Sequence, residues 1–368
     1  MEQKSVLIGM SGGVDSSVAA ALLKEQGYHV IGATMRLWTY SDSCNMKHEG
    51  CCAESAVEDA RRVCDKLGID FYVMNFKDMF KDKVVDYFVD EYIHGRTPNP
   101  CIACNKYLKF DALLKKALAM GIDYVATGHY AKIEKGEDGK YILRASEAVK
   151  KDQSYVLYNF TQEQLAHTLM PLGGYNKDWV RQKAEELGLG VAHKPDSQEI
   201  CFIDNSVDYV DFIKNFNGDS EDKTGIEEGN FINAEGKVLG RHKGLVNYTI
   251  GQRKGLGIAL GYPAFITEID CKNNTVTLGK NETLFKTEAI ICDLFFTETG
   301  NAELPCGIEK RNLSAKVRYA APRAAVKIVS ASDKKYEKVQ SADSSSTVLK
   351  IIFDAPQRAM TPGQSLVI

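Results

Sequence analysis

The sequence predicts an α/β N-terminal domain with a parallel sheet and helices on both faces, then a small central domain and a C-terminal β-barrel-like domain. Three observations predict this. Up to about residue 206, short apolar runs alternate with helical stretches, the pattern of a parallel sheet covered by helices. Beyond residue 278 the pattern changes to short β-rich runs, as in a small antiparallel barrel or sandwich. With 368 residues the chain is also too long for one ordinary core. The expected boundaries are 1–206, 207–278 and 279–368.

The elements follow in order. "SVLIGM" (Ser5–Met10) reads as a short buried strand and "SVAAALLKEQ" as a helix closed by Gly27. "HVIGATMRLW" is a second strand, "AESAVEDARRVCDKLG" a helix stopped by Gly68, and "DFYVMNF" a third strand. Helices are expected over Phe80–Tyr92 and Lys106–Met120, then a strand at "DYVATG" and helices at Thr161–Met170 and Lys177–Leu187. In "GRTPNPCIACNKYLKF" (Gly95–Phe110), Cys101 and Cys104 therefore lie between a proline-stiffened loop and a helix. "VDYVDFIKNF" is a short acidic helix leading into a Gly- and charge-rich stretch. "EAIICDLFF", "SAKVRYA", "AAVKIVS" and "STVLKIIF" are the C-terminal strands, with Ser344–Ser346 in a hairpin loop. "GLGIALG" lies outside the α/β part and reads as a turn.

Composition excludes some classes. Hydrophobic residues make up 44% and charged residues 26%, an ordinary globular balance. No apolar run approaches the ~18 residues of a membrane span, and the N-terminus lacks the apolar core of a signal peptide. The expected location is the cytoplasm. Ten cysteines in a reducing compartment point to thiols, metal ligands or catalysts rather than a disulfide framework. Cys64, Cys271, Cys292 and Cys306 are expected to be buried small hydrophobes. Net charge is −3, yet 236–255 and 310–327 carry Lys and Arg with no acid, local basic surfaces fit to meet phosphates.

"GMSGGVDSS" ends the first strand and opens the first helix. Its glycines let backbone approach a polyanion, with helix N-terminal amides and the hydroxyls of Ser11, Ser16 and Ser17 facing it. It is neither a Walker A loop, lacking that motif's lysine, nor a Rossmann fingerprint. S-G-G-x-D-S-S in this place resembles the PP-loop of the ATP pyrophosphatase superfamily, whose members split ATP between the α and β phosphates.

"GRTPNPCIACNKYLKF", "ATGHYA", "KKDQSYVLYNF", "HKPDSQEICFI", "NYTIGQRKGLGI" and "TPGQSLVI" then resemble, in order and nearly end to end, the bacterial tRNA-specific 2-thiouridylases. The resemblance implies ATP-dependent conversion of uridine 34, at the tRNA wobble position, to 2-thiouridine. Adenylating the C2 oxygen makes a poor leaving group a good one, and sulfur then arrives from a cysteine persulfide. It implies Cys104 as nucleophile and Cys201 as persulfide carrier. It implies ATP contacts at Gly9, Met10, Ser11, Gly12, Gly13, Val14, Asp15, Ser16, Met35 and Gly128, with magnesium on Asp15. Asn99, Pro100 and Cys101 would approach the target base. Lys151, Asp152, Gln153, His129, Arg318, Tyr319 and Gln364 would touch tRNA. The partners it implies are the anticodon stem-loop and an upstream sulfur-carrier protein or sulfide source, with the enzyme a monomer and off the membrane.

One position departs from the family pattern. Many of these enzymes carry Asp three residues before the nucleophilic cysteine, where this chain has Cys101. Three candidate thiolates, Cys101, Cys104 and Cys201, are also the ligand set of related thiolases with a [4Fe-4S] cluster. Persulfide relay and cluster chemistry both stay open on the sequence. Cys44, His48, Cys51 and Cys52 in "DSCNMKHEGCCAES" have spacing compatible with zinc, or form a cap over the ATP site. Two rival classes are a PP-loop synthetase making a small molecule, which leaves Cys104, Cys201 and the β-rich tail without a task, and a cysteine-rich ATP-binding sensor, which does not explain "GRTPNP" or "DQSY".

Overall fold

The computed structural model describes residues 3–37, 54–196, 200–203, 206–218, 223–330 and 348–368. The Cys44–Cys52 cluster and the Ser344–Ser346 run lie outside them. The chain falls into two compact units. The first holds residues 1–85, 100–207 and 296–301, the second 86–99, 208–295 and 302–368.

The first unit begins with β1 (Ser5–Gly9), α1 (Val14–Glu25), β2 (His29–Arg36), α2 (Glu54–Leu67) and β3 (Asp70–Asn75). Val6, Leu7 and Ile8 have no exposed surface, as a central strand covered on both faces requires. α2 buries Ala56, Ala60, Val63 and Cys64 on one helical face. The Cys64 thiol lies where a side chain on Gly32 would have to go, 2.6 Å from the position of a Cβ. Burial, with Asp65 beside it, pushes that thiol up to about 12, so Cys64 is a packing residue.

α3 (Lys77–Phe80) runs through a π-helical turn at Lys81–Val85 into α4 (Asp86–Ile93), which belongs to the second unit. α5 (Pro100–Ala103) runs through a π-helical segment, Cys104–Ala112, into α6 (Leu113–Ala119). This helix starts six residues earlier than the sequence suggests. Proline at the first helical position, with φ already helical, explains the early start. Cys101 and Cys104 are therefore helical residues, and Cys104 opens the π segment, a distortion found most often at functional sites.

Next come β4 (Tyr124–Ala126), the hairpin β5 (Ala131–Lys135) and β6 (Tyr141–Ala145), α7 (Gln162–Ala166), β7 (Thr168–Leu169) and α8 (Lys177–Glu186). α7 starts at a capping box between Thr161 and Gln164. The helix expected to reach Met170 stops at Ala166, and Thr168–Leu169 joins the sheet instead. That sheet has the order β3-β2-β1-β4-β7 and is parallel throughout.

The second unit contains α9 (Tyr209–Phe216), capped by Asp208, and two four-stranded sheets. β8 (Gly229–Ile232), β9 (Val238–His242), β10 (Phe265–Asp270) and β11 (Thr275–Gly279) pair in the order β10-β11-β8-β9. Phe231, Leu245, Ile266 and Val276 form their core. β12 (Phe285–Ile291), β13 (Leu313–Ala315), β14 (Ala324–Ser330) and β15 (Leu349–Arg358) form an antiparallel sheet over Ala315, Val326, Ile351 and Phe353. The fold class expected from the sequence is the one observed. In "GLGIALG" the glycines 255, 257 and 261 all take positive φ, consistent with turns. Cys271 and Cys292 are half-buried and Cys306 is exposed, against the expectation that all were core. Cys306 follows Pro305 in a turn that leads into a 3-10 turn at Ile308–Lys310, outside any strand.

Candidate active site

Strand order locates the site. From β1 the chain builds outward through β2 and β3 on one side, then returns to place β4 and β7 on the other. The reversal lies between β1 and β4, and ligands of such sheets bind at the strand ends beside it. The loop after β1 is the glycine loop, and the loop after β4 holds Thr127, Gly128 and His129.

Local contacts shape the glycine loop. The Met10 amide donates to the Ala33 carbonyl at 2.8 Å, and the Thr34 hydroxyl donates to the Met10 carbonyl at 2.8 Å. Gly12 has φ +68°, and a Cβ there would meet the Ala56 carbonyl oxygen at 2.3 Å. A Cβ on Gly128 would fall 2.7 Å from the Ser16 nitrogen. Both glycines are required by close backbone approach. The Ser17 hydroxyl is buried and donates to the Gly13 carbonyl at 2.8 Å, so it braces the loop instead of facing a ligand. Ser16 is also buried; its hydroxyl donates to Gly13 O and accepts from the Ser11 amide, each at 3.2 Å. Ser11 is exposed. No side chain caps α1 at Gly13, which leaves its first-turn amides for an anion. Met35, half-buried, lies near the same end of β2.

A chain of charges runs beside the loop. Lys177 donates to both Asp15 oxygens at 2.8 Å, and the Tyr130 hydroxyl donates to Asp15 Oδ1 at 2.7 Å. Burial, with Asp15 beside it, pushes the Tyr130 phenol up, so it stays a donor. Lys177 also meets Asp196 at 2.7 Å, and Asp196 accepts from Lys151 at 2.8 Å. Burial raises the Asp196 carboxyl, but hydrogen bonds from Lys151 and Lys177 outweigh this and hold it below the usual range. Lys194 donates to the Gly12 carbonyl at 3.0 Å and to Asp59 at 2.8 Å. Sequence reasoning assigned no role to Tyr130, Lys177, Lys194 or Asp196. The one available signal was "KPDSQ", two charges and a proline just ahead of Cys201.

The three thiols differ. Cys101 is exposed, Cys201 is half-buried, and Cys104 is only 6% exposed. Among the described residues, no three His, Cys, Asp or Glu side chains gather as metal ligands. Beside Cys104, buried Asn105 donates to the Val156 carbonyl at 2.9 Å, while its Oδ1 has no partner among the described residues. Phe110, on the Cys104 helix, packs on His129 at 5.8 Å and on Phe160 at 4.5 Å. Removal from water and the Lys109 charge lower His129 well below its ordinary value, so it is neutral near pH 7. Its Nδ1 pairs with the Thr127 hydroxyl at 2.7 Å. Phe202, next to Cys201, meets Phe80 of α3 edge-on at 5.6 Å, and α3 packs against the Cys104 helix. The structure therefore brings the glycine loop, Gly128, His129 and the Cys104 helix together, with the Cys201 turn tied to that helix through α3.

Several expected RNA contacts already have work inside the protein. Asp152 accepts from the amides of Ser146 and Ser154 and from the Ser154 hydroxyl. Gln153 exchanges hydrogen bonds with the Tyr130 backbone. In the second unit, Arg318 donates to the Arg358 carbonyl at 3.0 Å, and Gln364 donates to the Thr97 carbonyl at 2.7 Å, bracing the loop that leads to half-buried Asn99 and Pro100. Tyr319 is exposed, with the Lys316 ammonium over its ring at 5.5 Å.

Fold and site together define an α/β nucleotide-binding domain joined to a β-rich unit. A family model described as "tRNA methyl transferase HUP domain" matches residues 4–205, and one described as "tRNA methyl transferase PRC-barrel domain" matches 220–280. The chain is 53% identical over 366 residues to the tRNA-specific 2-thiouridylase MnmA of Clostridioides difficile (strain 630), covering 99% of this chain and 94% of that protein. It is 52% identical over 369 residues to the protein of the same name in Acetivibrio thermocellus, covering 100% and 96%. The chain belongs to the tRNA-specific 2-thiouridylase family. Among solved structures, a 4-thiouridine synthetase–RNA complex with bound ATP shows 18% identity and a TM-score of 0.36, covering 54% of this chain and 45% of that one.

Proposed function

We propose that this chain carries out ATP-dependent 2-thiolation of uridine 34 in tRNA, in the cytoplasm and as a monomer. The observation that carries the reading is the packing of Phe110 on His129. It joins the helix of Cys104 to the loop whose Gly128 touches the phosphate loop, so adenylation and sulfur delivery share one unit.

The uracil C2 oxygen attacks the α-phosphorus of ATP. The bond from that phosphorus to the bridging oxygen breaks, and pyrophosphate leaves with the electron pair. Asp15, a hard oxygen donor at the open end of α1, fits a magnesium ion, which would supply charge neutralisation to the pyrophosphate. An upstream carrier protein loads sulfur on Cys201. The terminal persulfide sulfur attacks C2, loses its proton, and AMP departs. The Cys104 thiolate then attacks the Cys201 sulfur, the S–S bond breaks toward the base, and a Cys104–Cys201 disulfide remains for an external thiol to reduce. The relay needs no thiol beyond Cys104 and Cys201, so no step runs through a [4Fe-4S] cluster.

Methyl transfer, the activity in the family models' descriptions, is the second reading. It gives the phosphate loop and the buried Cys104 no task. Anaerobically purified protein, wobble-uridine tRNA, magnesium ATP and a persulfide donor test the choice by nucleoside mass spectrometry. Pyrophosphate release and 2-thiouridine in equal amounts are expected. A methylated base without pyrophosphate would reverse the assignment.

A further inference from the structure

Lys177 opens α8, and its direction is set before any ligand arrives. The Asn176 side chain accepts the Trp179 amide at 2.9 Å and fixes the first turn. α8 packs along α1, which carries Asp15 in its first turn, within the phosphate loop. The Lys177 side chain is only 12% exposed and its ammonium is divided between two carboxylates, Asp15 at 2.8 Å and Asp196 at 2.7 Å. Asp196 is itself held by Lys151 at 2.8 Å on its Oδ2 and by Arg181 at 3.4 Å on the Oδ1 that Lys177 meets.

This is an expensive arrangement for stability alone, because a largely buried ammonium loses much of its hydration. It also occupies the carboxylate that magnesium needs. When Asp15 turns to a metal ion, Lys177 keeps its contact with Asp196 and stays beside the open N-terminus of α1. The site then holds a dry, oriented cation where negative charge grows as pyrophosphate departs, the arrangement that most lowers such barriers.

We infer that Lys177 is a further catalytic residue of the adenylation step: its ammonium turns from Asp15 to the oxygens of the departing pyrophosphate. Asp196 is the positioning residue that keeps it there. The inference rests on the adenylating reading above. Lys177 transfers no proton; it neutralises the electron pair that leaves with the broken phosphorus–oxygen bond.

The test uses the full chain with Lys177→Gln, Lys177→Arg, Asp196→Asn and Asp196→Glu. Two readouts are taken: tRNA-dependent pyrophosphate release, and the rise in melting temperature that magnesium ATP causes without tRNA. Lys177→Gln should lower kcat about a hundredfold and lose most of the ATP-induced rise. Lys177→Arg restores the charge and should recover at least about a tenth of kcat. Asp196→Asn should lower kcat about tenfold with KM for ATP unchanged, and Asp196→Glu should restore it. Parent kcat and a parent-sized ATP-induced rise in Lys177→Gln would overturn the inference. Should that variant fail to fold, unchanged kcat in Asp196→Asn does the same. If the parent releases no pyrophosphate with any tRNA, the adenylating reading fails by itself. The ATP-induced rise then decides Lys177, equal rises in parent and Lys177→Gln counting against it.

Discussion

The surroundings of the phosphate loop and the Arg318–Gln364 stretch of the second unit use their polar side chains differently. Around the phosphate loop, Lys151 and Lys177 are paired with carboxylates at 2.7–2.8 Å in a chain that ends on Asp15, and Lys194 pairs separately with Asp59 at 2.8 Å. In the second unit, Arg318 and Gln364 spend their donors on backbone carbonyls, and Tyr319 with Lys316 is left at the surface. The first pattern is preorganised electrostatics, ready for a polyanion. The second is scaffolding with a few exposed tips. A substitution in the first region should therefore change chemistry at constant fold, whereas in the second a bracing residue such as Arg318 should change fold and affinity together and an exposed one such as Tyr319 affinity alone.

The largest expected effect separates Cys104 from Cys101. Cys104→Ser should reduce 2-thiouridine to background while pyrophosphate is still released. Cys101→Ser and Cys101→Asp should stay within about threefold of the parent, under ~1 kcal/mol of barrier. Iron near four atoms per chain in the parent, missing from inactive Cys101 variants, would replace the relay with a cluster.

Gly128→Ala sharpens the claim about the first unit. Its new methyl would lie 2.7 Å from the Ser16 nitrogen, so the loop must shift. Such a displacement costs on the order of a hundredfold in adenylation, with little change in tRNA affinity. Equal pyrophosphate release by parent and variant would show that the loop tolerates the shift and is less preorganised than its contacts imply.

The second unit is tested by a pair. Tyr319→Ala should weaken tRNA binding by about 1–3 kcal/mol, the value of one stacked base, at an unchanged melting temperature. Arg318→Ala should lower the melting temperature as well, because two carbonyls lose their donor. A pure affinity loss in Arg318→Ala, with the salt slope reduced by about one, would mean that its backbone bonds are incidental.

The smallest effect is a pH dependence in the first unit. Asp123 accepts from Lys4 and from the Ser5 amide and hydroxyl, which hold its carboxyl down at about 2. The unfolded value is about 3.9. A carboxyl depressed in the folded state stabilises fully above the unfolded value, and this is lost as pH falls toward about 2. The melting-temperature gap between parent and Asp123→Asn should be constant from pH 7 to 5 and narrow from pH 4 to 3. A gap independent of pH would remove the linkage.

Much of this protein is written locally in its sequence. Strand–helix alternation, the stops at Gly27 and Gly68 and the loop "SGGVDSS" are each decided within a few residues, by hydrophobic period, backbone freedom and unpaired amides. They were legible for that reason. The two-residue β7 was not, since its strand character comes only from pairing with Val125 and Ala126. The helix start at Pro100 was obscured by four residues, "CIAC", with no clear helical pattern.

The site's working parts lie beyond local reach. Lys177 is 162 residues from Asp15, Asn105 is 51 from Val156, and Gly128 meets Ser16 across the sheet. Residue types alone set out the available chemistry: a glycine-rich loop, a carboxylate within it and cysteines further along. Only the tertiary structure decided which cysteine is buried, which lysine faces Asp15 and which hydroxyls brace the loop. The physical reason is that side-chain partnership depends on distance and water exclusion, and both are set by how the sheet orders its strands.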